Sequence, residues 1–88
     1  MNKYESLGLS LRNQIKNLVY DYMLNSIQCS QGSEGLRQNY ISKKCNLDWD
    51  ENIPGITQQH HWIKAILYVL MDEGKVERIQ QSKKWRLK

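Results

Sequence analysis

The apolar positions of this 88-residue chain recur every three or four residues in three segments, which predicts three helices. The first helix is predicted for residues 10–28, where the apolar side chains share one helical stripe. These side chains are Leu11, Ile15, Leu18, Val19, Tyr22, Met23 and Ile27. Ser10 is the predicted N-cap, because a serine hydroxyl accepts a hydrogen bond from a free backbone N–H of the first turn.

A second, shorter helix is predicted for residues 36–45. It follows residues 31–35, where two glycines and a serine interrupt the first helix. Four of its side chains are candidates for the inward face: Leu36, Tyr40, Ile41 and Cys45.

Residues 46–57 are predicted to form a loop. Pro54 forbids a continuing helix, and Pro54-Gly55 is a turn signal. Trp49 and Ile53 are predicted to pack this loop onto the core.

The third helix, predicted for residues 58–73, has the strongest amphipathic pattern of the chain. Its inward side chains are predicted to be Trp62, Ile63, Ile66, Leu67 and Leu70. Thr57 is a candidate N-cap, and Gly74 stands where a left-handed residue ends a helix.

Two short strands joined by a polar turn are predicted to follow, at about residues 75–80 and 84–88. In the second strand Trp85 and Leu87 alternate with basic residues, which predicts an apolar inward face and a basic outward face. The apolar residues of the first strand are three apart, so a bulge or an early end is predicted there. The whole chain is thus predicted to be one α+β domain, mostly helical, with three helices before a sheet of two or three strands.

The net charge of +4 is unevenly distributed along the chain. Residues 57–88 carry seven Lys/Arg against three Asp/Glu, whereas residues 1–56 carry six of each. A positive field concentrated on one half of a domain favours a polyanionic partner, most often nucleic acid. The alternative is a basic, soluble surface that has no partner.

The polar face of the third helix carries side chains that bond base edges. Glutamine pairs with adenine, lysine with guanine, and histidine with a base or a phosphate. The candidate DNA-contacting residues are Gln58, Gln59, His60, His61, Lys64 and Tyr68. The alternative is the solvated face of a core helix, but the segment carries no acidic residue before Asp72.

Basic side chains also surround the turn between the two strands. Lys83, Lys84 and Arg86 are candidates for contacts with the sugar-phosphate backbone, which position a protein and carry little sequence information. The alternative is edge-strand protection, in which lysines discourage pairing with another sheet.

Neither metal binding nor catalysis has support in the sequence. Cys29 and Cys45 are 16 residues apart and His60 and His61 are adjacent, unlike the paired spacings of zinc sites. No phosphate-binding glycine loop and no nucleophile motif occurs, so neither a cofactor nor an enzymatic activity is predicted. Without a signal segment or a long apolar run, the chain is predicted to be cytoplasmic, with free thiols and no membrane contact.

Residues 59–78, followed by residues 84–87, resemble the winged-helix domains attached to restriction endonucleases, such as the Mrr N-terminal domain. That family shows a tryptophan-bearing helix, an L-x-x-x-G-x-[IV]-E-R segment and a closing W/Y-R-L strand. The matching positions are Leu70, Gly74, Val76, Glu77, Arg78, Trp85, Arg86 and Leu87. The sequence departs from the pattern at Ser82-Lys83, where the family usually has glycine.

The resemblance implies a winged helix-turn-helix that recognises double-stranded DNA, with its third helix in the major groove and its wing on the backbone. It also implies a larger restriction or defence protein, whose catalytic part lies outside this chain. One alternative is a small transcriptional regulator of the same fold, which needs a dimerisation surface. Another is a protein-interaction winged helix, which needs an exposed apolar patch such as Tyr68, Met71 and Trp49.

Overall fold

The computed structural model describes residues 2–49, 52–55 and 61–88. Within these residues the chain forms three α-helices and then a two-stranded antiparallel sheet, so the α+β, mostly helical prediction is confirmed. The helices are α1 (Lys3–Leu24), α2 (Gln38–Lys44) and α3 (His61–Asp72), and a 3₁₀ turn, Ile27–Cys29, follows α1. The strands are β1 (Val76–Arg78) and β2 (Trp85–Leu87).

Helix α1 begins seven residues earlier than residue 10 and ends before residue 28. Its N-cap is Asn2, whose side chain accepts a hydrogen bond from the Glu5 backbone N–H at 2.8 Å. Ser10 lies inside the helix, so its predicted capping role is wrong. At the other end Asn25 is the C-cap, and its backbone and its side chain both donate to the Asp21 carbonyl.

Only part of the predicted stripe on α1 enters the core. Val19 and Met23 are fully buried, but Leu11 and Leu18, which belong to the same predicted stripe, are exposed. Ile27 is also exposed, because the helix has ended before it and the chain has turned. The core needs only the C-terminal half of α1, and the N-terminal half extends past it.

Helix α2 supplies Ile41 to the core, as predicted, whereas Tyr40 is exposed, against the prediction. Leu36 is buried but precedes the helix, in an extended segment that bridges to β2. The Leu36 N–H donates to the Trp85 carbonyl at 2.9 Å, and the Trp85 N–H donates back at 2.8 Å. This bridge adds a single residue to the edge of the two-stranded sheet.

The segment after α2 is not packed onto the core by Trp49 and Ile53, which are both exposed. Instead the Leu47 N–H donates to the Ser42 carbonyl at 3.0 Å, which turns the chain back, and Leu47 packs against the core. The Ser42 hydroxyl also bonds the Asp48 carboxylate. The prediction was wrong because these local hydrogen bonds select a different apolar residue.

The hairpin is regular over its short strands. The register pairs Val76 with Leu87 and Arg78 with Trp85, so β1 ends early and contains no bulge. The turn is closed by bonds from the Ile79 N–H to the Lys84 carbonyl and from the Lys83 N–H to the Ile79 carbonyl, both 2.8 Å. Trp85, fully buried, ties this hairpin to the helices.

Gly74 ends α3, as predicted. Its φ is +77°, and the Lys75 N–H donates to the Leu70 carbonyl at 3.0 Å. This hydrogen bond, which reaches back five residues, is typical of a Schellman cap. The chain leaves the helix through this cap and enters β1 two residues later. The glycine thereby fixes the hairpin close to the end of α3.

Candidate nucleic-acid interface

A cleft of about 290 Å³ lies where the start of α2, the middle of α3 and the hairpin meet. Its lining residues are Arg37, Gln38, Asn39, Lys64, Arg78, Ser82 and Lys83. Four of these seven side chains are cationic, three are neutral and polar, and none is acidic. We call this surface the basic cleft. Its uncompensated positive charge would attract a polyanion.

Arg78 is held in the basic cleft by two aromatic rings. The strand register places Arg78 opposite Trp85. Arg78 therefore lies on the same face of β1 as Val76, which is the face that packs on the core. The guanidinium carbon lies 6.0 Å from the Tyr68 ring centroid and 5.8 Å from that of Trp85, and Nη1 donates to the Tyr68 hydroxyl at 2.9 Å. The rings themselves meet edge to face, with centroids 5.3 Å apart. The planar cation is therefore oriented before any ligand arrives.

Lys64 connects the basic cleft to the outer surface of α3. Together with His61, Ala65 and Tyr68 it also lines a shallow depression of about 320 Å³ along that helix. Its Nζ atom lies 6.0 Å from the centroid of the Tyr68 ring. The structure thus brings three predicted contact residues of α3 onto one surface.

Tyr68, one of the predicted contact residues, touches two cations of the basic cleft. It accepts the hydrogen bond from Arg78, and its ring lies between Lys64 and Arg78. Tyr68 therefore positions two cations of the basic cleft.

Lys83 reaches the basic cleft from the hairpin turn, where it is exposed. Lys84 and Arg86 do not line it, because side chains alternate along a strand and these two lie on the face of β2 opposite Trp85. Lys84 Nζ forms an ion pair with Glu34 Oε1 at 2.7 Å. This hydrogen bond and the ammonium charge lower the pKa of Glu34.

Arg86 is also engaged on the outer face of the sheet. Its Nε atom lies 2.6 Å from Glu77 Oε2, and its Nη1 donates to the Ser33 carbonyl at 2.7 Å. The first contact links the two strands of the hairpin, and the second joins the hairpin to the segment before α2. The structure therefore separates Lys84 and Arg86 from Lys83, although all three were predicted to contact the backbone of DNA.

Two cations of the basic cleft were not among the predicted site residues. Arg37 lies at the N-terminus of α2, and only the tertiary fold brings it near the hairpin. Arg78 had a signal in the sequence, since it is two residues after the inward-facing Val76 and so shares its face. Gln58, Gln59 and His60, which were predicted to contact bases, and the candidate cap Thr57 lie outside the described residues.

Comparison with family models, with curated proteins and with solved structures found no match to this chain. Among the described residues, no three His, Cys, Asp or Glu side chains are grouped so that they could hold a metal ion. No helix in the described part of the chain combines the length and the apolar character needed to cross a membrane. Function must therefore be inferred from the fold and from the chemistry of its surface.

Proposed function

We propose that this chain is a winged-helix module that binds double-stranded DNA. Three helices precede a hairpin, which is the element order of that fold, and α3 leads directly into the hairpin. The observation that carries the proposal is the basic cleft, where Arg37, Lys64, Arg78 and Lys83 converge from three elements without an acidic neighbour. Phosphate contacts supply most of the affinity of such modules, and the cleft has the charge for them.

In this proposal α3 enters the major groove with its N-terminal half. His61 and Lys64 are on its accessible surface, and Gln58, Gln59 and His60 come immediately before it in the sequence. These are side chains that discriminate base edges. Lys83, in the hairpin turn that forms the wing, contacts the phosphates of one DNA strand. Arg37 contacts the DNA phosphates on the other side of the basic cleft.

Arg78, held by Tyr68, lies in the basic cleft between Lys83 and Arg37. Because Arg78 is already oriented by two rings, it loses little conformational freedom when it binds a phosphate. Arg86 and Lys84 stabilise the hairpin from its outer face through Glu77 and Glu34. The link to a restriction or defence nuclease stays a prediction from the resemblance.

The test is fluorescence anisotropy with a labelled duplex of about 20 base pairs over a series of salt concentrations. Two double variants remove the same charge from different faces: Lys64→Ala/Lys83→Ala in the basic cleft, and Lys84→Ala/Lys88→Ala on the outer side of β2. We expect binding by the wild type to fall steeply with salt. The cleft variant should reduce the slope by about two units and the outer variant by less than one.

Two results would contradict the proposal. The first is a folded wild type that does not bind the duplex at low salt. The second is an outer variant that loses as much affinity and slope as the cleft variant, since binding would then depend on the net charge and not on the basic cleft. Circular dichroism of each variant shows whether it is folded.

A further inference from the structure

Helix α1 carries a line of apolar side chains that the fold leaves uncovered. Tyr4, Leu7, Leu11 and Leu18 are 79%, 52%, 57% and 45% exposed. Their spacing of three, four and seven residues places them along one side of the helix, and we call them the outer stripe. They lie roughly a third of a turn around the helix from Val19 and Met23, which enter the core.

The outer stripe is continuous with apolar side chains that pack against the core. Ile15 and Tyr22 continue it at helical spacing, and both pack partly against the core. The first turns of the helix project beyond that body, since all residues from Asn2 to Leu7 are exposed, whereas α1 lines a cavity together with α3 from Leu9 onwards. A contiguous apolar surface of this length on a small domain is typical of an interaction site.

We propose that the outer stripe packs against the outer stripe of a second copy of this chain, with the two helices antiparallel. A two-fold axis close to residue 12 places Leu7 opposite the partner's Leu18, and Leu11 beside the partner's Gln14. The contact is self-complementary, as a two-fold interface requires. Because the body of each copy lies at the C-terminal half of its own α1, each body sits beside the N-terminal half of the other helix.

Charge complementarity selects the antiparallel arrangement. Lys3 and Asp21 border the outer stripe on the same flank, 18 residues and therefore five turns apart. The two-fold axis brings Lys3 against the partner's Asp21 at both ends of the interface. A parallel pair would instead set this flank against the partner's other flank, so Lys3 and Asp21 would not meet, and it would align the helix dipoles. Within the described residues neither side chain forms an ion pair.

The charges of α1 fit a membrane surface less well. A helix that lies on anionic lipid carries many cations on its polar face. Here Lys3, Arg12 and Lys16 are offset by Glu5 and Asp21, and Lys16 Nζ is bound to Glu73 Oε2 at 2.7 Å. The stripe is therefore better matched to protein than to lipid.

Sedimentation equilibrium without DNA tests the proposal, so its outcome is independent of the DNA-binding function. We expect the wild type to dimerise at micromolar concentrations. Leu7→Gln or Leu11→Gln should weaken the dimer on the order of 100-fold, because each removes an apolar contact from both copies. The matched control is Leu24→Gln, on the same helix, equally exposed at 52% but on another side, which should leave dimerisation unchanged.

A charge exchange tests the orientation. Lys3→Asp and Asp21→Lys should each weaken the dimer roughly three- to tenfold, and the double exchange should restore it. A double variant as weak as the singles would overturn the antiparallel arrangement. A folded wild type that stays monomeric at several hundred micromolar would overturn the dimer itself, and capture of that monomer by phosphatidylserine vesicles would assign the stripe to lipid.

Discussion

Lys83 has a backbone conformation that its residue type disfavours. Its φ is 63°, in the left-handed region, where a side chain with a Cβ atom costs about 1–2 kcal/mol. The other non-glycine residue with positive φ in the described part of the chain is Asn46, and asparagine tolerates this region. Glycine would adopt this conformation without that cost, whereas the lysine places an ammonium group at the basic cleft. A functional group at a strained position is consistent with the proposed role in DNA binding.

We expect Lys83→Gly to increase the free energy of unfolding by about 0.5 kcal/mol, since relief of the left-handed strain exceeds the greater chain entropy of glycine. The same variant should bind duplex DNA more weakly, because one phosphate contact is lost. Lys83→Ala is the control, as it removes the charge and keeps the strain. Urea denaturation and anisotropy of both variants measure the two effects, and an equal gain in stability from alanine would contradict this account.

Among the elements, the hairpin and the segment before α2 approach each other closely. At Gly35 φ is +84°, and a Cβ atom there would lie 2.8 Å from the Trp85 carbonyl oxygen. The glycine permits the two bonds between Leu36 and Trp85, and its own N–H donates to the Gln28 carbonyl at 2.8 Å. This approach of two backbones aligns the hairpin with α2, and so sets the width of the basic cleft.

Gly35→Ala should therefore destabilise the protein by about 2–4 kcal/mol, from the backbone clash added to the left-handed strain. Gly32→Ala is a matched control, because its φ is +78° and open space surrounds the position of a Cβ atom. We expect it to cost only about 1 kcal/mol. Denaturant titrations give the free energy of unfolding of both variants, and the difference between them measures the effect of the backbone clash. Equal losses of stability would show that the close approach does not contribute.

At the scale of the whole molecule, Trp85 connects the hairpin to the helices. This side chain is fully buried and packs edge to face on Tyr68, while its backbone bonds Leu36. The Cys29 thiol also approaches its carbonyl oxygen, at 3.8 Å. One residue thus joins β2, α3 and the segment before α2, which are the elements that form the basic cleft.

Trp85→Ala should cost about 3–5 kcal/mol, a large part of the stability of a domain this small. The exposed Trp49 offers a comparison, and Trp49→Ala should cost much less. Chemical denaturation followed by circular dichroism gives both values. A Trp85 variant as stable as the wild type would mean that β2 does not close the core.

At the level of single elements, much of this structure was predictable because the signals are local. The amphipathic period of α3, Gly74 at its end and the alternation around Trp85 and Leu87 each act within a few residues. The order of helices and hairpin followed from them. The positions of the exposed His61 and the half-buried Lys64 on the polar face of α3 were predictable for the same reason.

The exposure of α1 was decided by tertiary structure. Its stripe is longer than the core that receives it, and periodicity shows which side of a helix is apolar but not what covers that side. The basic cleft has the same origin, since Arg37 and Arg78 are far apart in the chain and meet only through the contact of Gly35 and Leu36 with Trp85. The separation of Lys83 from Lys84 depends on which face of the sheet packs on the helices. Local chemistry determined the elements, whereas packing among distant residues decided which cations share a surface and which apolar residues remain outside.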